Sequence, residues 1–126
     1  MSNRKLGNLA EAKAISVLTE ENYSVSIPFT ENNNYDLVIE KNNKFFSVQV
    51  KGTKYEVKEN TYRADLRSVS HNTNGVVKSK KRKEEDYDFL FVYTPRKNYL
   101  IKSEDIDGKS AIYLHENRKY NEKSLI

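Results

Sequence analysis

The sequence predicts an α+β fold, one N-terminal helix packed on a central β-sheet, and three observations carry that prediction. The opening segment SNRKLGNLAEAKAISVLTEENY repeats apolar residues at helical spacing, at Leu6, Ala10, Ala14, Val17 and Leu18. Nearly everything after it consists of short runs rich in Val, Ile, Tyr and Phe, some alternating and some continuous. Asn, Gly and Pro punctuate those runs where turns are needed. The 126 residues suffice for one core, so a single domain over residues 1–126 is expected, with 117–126 a polar tail.

Taken in order, Ser2 or Asn3 caps the helix and Glu20, Glu21 and Asn22 mark its exit. YSVSIPF alternates Tyr23, Val25 and Ile27 and reads as a short strand ended by Pro28. TENNN is a polar connector. YDLVIEKNNKFFSVQVK reads as a β-hairpin whose turn is Asn42-Asn43, residues that tolerate positive φ. Gly52 is expected to break this run, and TKYEVKEN to form a loop or distorted extension. In TYRADLRSV, Tyr62, Ala64 and Leu66 alternate with Arg63, Asp65 and Arg67, as in a strand with one buried face. Residues 69–84 read as the longest irregular segment, and long loops in compact domains tend to carry function. DYDFLFVYTP has the near-continuous apolar run of a strand buried on both faces. NYLIKSEDI completes a second hairpin, and GKSAIYLHE gives a last, edge strand.

Composition removes several chemistries. There is no Cys, which excludes disulfides, thiolate catalysis and Cys-based zinc sites. The two His, His71 and His115, are too isolated to make a zinc cluster, so any metal is held mainly by oxygen. No apolar run approaches the roughly 18 residues that span a bilayer, and the N-terminus lacks a long apolar core, so no membrane partner and a cytoplasmic location are expected. The net charge is +4, with its basic residues bunched in VVKSKKRK, residues 76–83. Such a run suits a phosphate backbone, and equally a solvated loop.

The hairpin places chemistry. A two-residue turn at Asn42-Asn43 pairs Lys41 with Lys44 and, by the same register, sets Asp36 opposite Gln49. Opposed residues share a face, and Lys51, two beyond Gln49, projects from that face too. Leu37, Ile39, Phe46, Val48 and Val50 form the other, apolar face, so a one-residue slip would bury the charges. Glu11 lies at the flank of the helix stripe, one turn after Gly7, whose missing side chain leaves room for a substrate backbone. Read singly, Asp36 and Lys51 are equally a cross-strand ion pair, and Glu11 a solvated helix glutamate.

Together, Glu11 in the helix, Asp36 opening the hairpin and Gln49-Val50-Lys51 closing it resemble the PD-(D/E)XK nuclease superfamily. Tyr35-Asp36 stands at "PD" and Gln49-Val50-Lys51 at "(D/E)XK". GNLAEAKAISVL looks like the opening helix of archaeal-type Holliday junction resolvases. The order GNLAEAKA, YDLVIE, VQVKGT, YRADLR, YDFLFVY, YLI is similar to a small PD-(D/E)XK endonuclease family that includes an intron-encoded homing endonuclease. The sequence departs from the pattern at Tyr35, a loose position, and at Gln49, where the family pattern has an acid. An amide oxygen still suits a hard cation but brings no charge.

The resemblance implies a restriction-endonuclease-like, α/β/α-like core with a mixed central sheet, and a Mg²⁺-dependent DNA endonuclease, with Mn²⁺ as substitute cation. Asp36 would be the main ligand, joined by the Gln49 side chain and the Val50 carbonyl. Glu11 would hold a second ion, and Lys51 would orient the attacking water. Thr53, Lys54, Arg63, Arg67, Lys78, Lys80, Lys81, Arg82 and Lys83, with Gly7, are the candidates for contact with DNA. Cutting two strands calls for a homodimer or homotetramer. A structure-selective Holliday junction resolvase and a catalytically silent nucleic-acid-binding module are the alternatives.

Overall fold

The computed structural model describes residues 1–31, 33–71, 77–80 and 82–115, with backbone alone for 68–71 and 77–80. Helix α1 spans Asn3–Glu20. Ser2 caps it, its Oγ accepting the Lys5 N–H at 3.1 Å, and Asn22 leaves it at φ 70°, a conformation Asn adopts readily. The strands are β1 (Ser24–Ser26), β2 (Leu37–Lys41), β3 (Lys44–Gly52), β4 (Glu56–Lys58), β5 (Thr61–Asp65), β6 (Ser68–His71), β7 (Val77–Lys80), β8 (Phe89–Tyr93), β9 (Asn98–Lys102) and β10 (Ala111–His115).

The main sheet has the order β1-β2-β3-β8-β9. It is mixed: β3 and β8 run parallel, with Val48 beside Phe89 and Lys51 beside Val92, and the other neighbours are antiparallel. β10, β5 and β4 form a second sheet, and β6 and β7 a two-stranded ribbon of their own.

Two apolar layers follow from strand alternation. Leu37, Ile39, Val48, Phe89 and Phe91 pack with Ala14 and Leu18 of α1. On the opposite side Leu90, Val92, Tyr99 and Ile101 pack with Ala64, Leu66, Ile112 and Leu114. β8 thus gives successive residues to opposite layers, as its continuous apolar run predicts. Each fully buried Leu or Phe here is worth about 1.5–3 kcal/mol.

The expected α+β arrangement, an N-terminal helix on a mixed central sheet, is present, and the face of that sheet away from α1 carries a layer of its own. A sheet and the 3-10 turn Ser103–Ile106 cover it, because the segments there alternate with period two and pair with each other. Three local expectations are corrected. Ile27 lies beyond the end of β1 and is 63% exposed, since Pro28 follows and the β1–β2 pairing ends at Ser26. Gly52 does not break its run but is the last residue of β3. Part of the expected irregular segment is the β6–β7 ribbon, whose Ser and Lys content hides its pairing. The polar tail from residue 117 lies outside the described residues.

Candidate active site

The Asn-Asn turn sets the register of the site. Asn42 and Asn43 take φ 54° and 63°, the pair of positive values a type I′ hairpin turn requires. Lys41 then faces Lys44, and the ladder runs back to Leu37 facing Val48, as the sequence implied. Asp36 departs from the expectation by one step. It lies just outside the ladder, its N–H donating to the Val48 carbonyl at 2.9 Å, and its Oδ2 accepts the Val50 N–H at 2.8 Å. The carboxylate is therefore fixed on the backbone of β3, between Gln49 and Lys51 in the chain. Alternation along β3 places Gln49 and Lys51 on the side opposite Val48, which packs under α1.

Glu11 reaches this end of the hairpin because α1 lies very close to β3. A Cβ on Gly52 would sit 3.0 Å from the Ala10 Cβ, 3.1 Å from the Leu6 Cγ and 3.2 Å from the Leu6 carbonyl oxygen. Glycine admits the helix at that distance without displacement, whereas a side chain would press α1 back by a few tenths of an ångström. The residue after Ala10 is Glu11, and its carboxyl is held above the usual carboxylate range by burial and by the charge of Asp36. The Asp36 carboxyl is raised too, by burial, while the Val50 N–H and the Lys51 ammonium pull the other way. At the end of one hairpin, then, the charge of one half-buried carboxylate, Asp36, disfavours ionisation of the other, Glu11. The role of Gly52 was missed at the sequence level; its signal is the glycine directly after VQVK.

The donors fit a hard divalent cation. Asp36, Glu11 and the Gln49 amide offer oxygen, the Asp36 charge is felt at Glu11, and the Lys51 ammonium acts on Asp36. Among the described residues no three His, Cys, Asp or Glu side chains form a metal-binding group, so an ion here would rest on two carboxylates plus neutral oxygens.

The family model of the PD-(D/E)XK endonucleases matches residues 1–125. The chain belongs to the PD-(D/E)XK endonuclease family. A solved structure described as that of a bacterial homing endonuclease, I-Ssp6803I, superposes with a TM-score of 0.78 at 25% identity, covering 99% of this chain and 86% of that one. The fold is thus of the restriction-endonuclease-like α+β type, and membership makes the chain a nuclease. No match is found among curated proteins.

The candidate DNA contacts of this PD-(D/E)XK endonuclease fare unevenly. Gly7 is exposed on α1, and a Cβ there would meet nothing within 4 Å. Lys54 is exposed, its Nζ donating to the Met1 carbonyl at 2.6 Å. Thr53 is corrected: it is buried, its Oγ1 donating to the Arg63 carbonyl at 2.6 Å, which ties the end of β3 to β5. Arg63 lies half-buried opposite Tyr113 of β10. Arg67 is exposed and clasps Asp65, with Nη2 2.9 Å from Oδ2. That pair holds the Asp65 carboxyl at a pKa of about 2. Lys78 and Lys80 belong to β7, Lys83 is exposed, and Lys81 lies outside the described residues.

Arg82 is the second correction. It is 6% exposed, donating from Nε to the Tyr87 hydroxyl at 2.9 Å, from Nη1 to the Ile106 carbonyl at 2.9 Å, and from Nη2 to the carbonyl and hydroxyl of Ser103. A charge in the middle of a basic run looks like a phosphate contact from sequence, yet this one faces the core. Among the described residues no helix is long and apolar enough to cross a membrane.

Proposed function

We propose that this chain is a Mg²⁺-dependent endonuclease that hydrolyses phosphodiester bonds in duplex DNA, of homing or restriction type, with Mn²⁺ able to substitute. The observation that supports it most is the Asp36 carboxylate, held by the Val50 N–H beside the charges of Glu11 and Lys51. Asp36 would be the principal ligand, with the Gln49 side-chain oxygen and the Val50 carbonyl beside it, and Glu11 would serve a second ion. When bound there, Mg²⁺ acts as a Lewis acid on the scissile phosphate. Lys51 orients the attacking water in line with the leaving 3′-oxygen and meets the charge that builds on the phosphate. Water adds to phosphorus as the P–O3′ bond breaks, leaving a 5′-phosphate and a 3′-hydroxyl. Each chain carries one such site, so cutting both strands of a duplex is the work of a homodimer or homotetramer.

Gln49 sets the metal requirement. A neutral ligand in place of a carboxylate weakens Mg²⁺ binding without removing a donor. The deciding experiment incubates the full chain with supercoiled plasmid, linear duplex and four-way junction DNA, in Mg²⁺ or EDTA, beside Asp36→Ala and Lys51→Ala. The expected result is Mg²⁺-dependent cutting of duplex, lost in both variants. Preference for the junction would replace the duplex cutter with a resolvase. Binding that neither variant changes, with no cutting, would overturn the nuclease site.

A further inference from the structure

The β6–β7 ribbon is a two-stranded sheet of its own. Ser68 pairs with Lys80, Ser70 with Lys78, and neither strand joins another sheet among the described residues. An isolated two-stranded ribbon is marginal in water, so its direction depends on how its two roots are held.

Both roots are built. At the first, Leu66 is buried and its N–H donates to the Ser110 carbonyl at 2.8 Å, while Arg67 bonds through its backbone N–H, Nε and Nη2 to the Asp65 carboxylate. At the second, Arg82 is sunk into the core and, among the described residues, its hydrogen-bond partners are the neutral groups of Tyr87, Ile106 and Ser103. Its guanidinium also lies 5.0 Å from the centre of the Tyr87 ring. Burying a cation without a carboxylate is costly, and its neutral contacts recover only part of the lost hydration. What the arrangement secures is orientation: a planar fork reaching Tyr87, Ser103 and Ile106 fixes the chain where β7 rejoins the fold.

The ribbon suits one groove. From Ser68 to Lys83 the sequence has no acidic residue, and Lys78, Lys80, Lys81 and Lys83 are all in its second half. The strands have four paired positions each, a length of about 13 Å at roughly 3.3 Å per residue. The major groove is about 12 Å wide and 8.5 Å deep, and it admits a two-stranded ribbon. We propose that the β6–β7 ribbon is a duplex-reading arm that enters the major groove, and that Arg82 is the positioning residue that sets its aim relative to the cut. This rests on the reading of the chain as a DNA endonuclease.

The test has three arms on the full chain. With Lys51→Ala as a non-cutting background, dimethyl sulfate probes guanine N7, which lies in the major groove, on a short random-sequence duplex and on plasmid fragments. Protection is expected, and its absence overturns the groove assignment. Next, Lys78→Ala/Lys80→Ala in that background should reduce the slope of log affinity against log salt by about 2, one for each lost phosphate contact. An unchanged slope overturns the arm. Finally, Arg82→Gln should leave that slope intact but scatter the plasmid cut positions and lower sequence preference roughly tenfold, the scale of one mismatched base pair.

Arg82→Lys should restore part of the preference, and an unchanged cut map in Arg82→Gln overturns the positioning role. Should Arg82→Gln fail to fold, Tyr87→Phe, which removes one acceptor from the same guanidinium, gives the same reading in milder form. Wild-type cutting that ignores every arm variant sinks the arm and leaves the nuclease. Arm-dependent binding without cutting sinks the nuclease and leaves the arm.

Discussion

The Asp36 Oδ2 accepts the Val50 N–H at 2.8 Å, so the acidic residue of the site is held by the backbone of the strand that carries Gln49 and Lys51. This single bond couples the start of β2 to the end of β3. It also separates two properties of Asp36, because the hydrogen bond needs an acceptor and the chemistry needs a charge.

Asp36→Asn keeps an oxygen for Val50 and removes the half-buried charge that also raises the Glu11 carboxyl. Cleavage should fall by at least about two orders of magnitude, while the metal-free protein becomes as stable as the parent or more so. Thermal unfolding in EDTA beside a cleavage assay checks both halves; a clear loss of stability would mean that the charge itself holds the fold.

The raised carboxyls of Glu11 and Asp36 give a pH dependence with a definite sign. Between the unfolded pKa and the higher folded one, the native state holds protons that the unfolded chain has released. Stability without metal should therefore fall as pH rises through that window, then level off. Mg²⁺, which favours the ionised carboxylates, should shrink the fall. Urea titrations across that range, with and without Mg²⁺, would show it, and a metal-independent profile would place the ion elsewhere.

Gln49→Glu adds the carboxylate that the family pattern carries at this position. Half-maximal cleavage should move to lower Mg²⁺ concentration, by roughly tenfold. Mg²⁺ titrations of the parent and the variant decide it, and an unmoved midpoint would remove Gln49 from the ligand set.

Gly52→Ala tests the contact that brings α1 to the site. The new Cβ meets the Ala10 side chain and the Leu6 carbonyl, so a loss of about 1–3 kcal/mol is expected. Cleavage should fall as well, because Glu11 follows the helix outward. Denaturant unfolding combined with a Gly7→Ala control, which meets no atom within 4 Å, separates local crowding from general helix effects.

Local chemistry made half of this molecule legible. The Asn42-Asn43 turn and the alternation beside it fix the hairpin register, and the Leu6, Ala10, Ala14, Leu18 stripe fixes which side of α1 is buried. What escaped depends on distant partners. The pairing of β10 with β5 joins segments far apart in sequence, so the second sheet could not be read from either alone. Asp36 steps out of its ladder for a bond that no pattern encodes. Arg82 and Thr53 are polar residues whose acceptors, Ser103, Ile106 and Arg63, come from other elements, and so they passed for surface.

The parallel pairing of β3 with β8 has a kinetic side. The β2–β3 hairpin closes over a two-residue turn and can form within microseconds, already bearing Asp36, Gln49 and Lys51. Its other edge must wait for β8, which arrives only after the whole excursion through β4 to β7 has been made and closed. During synthesis, the residues that will carry the site are therefore assembled early on a strand whose β8-facing backbone is still unpaired, an exposure that favours intermolecular pairing at high expression and makes β8 the step that ends it.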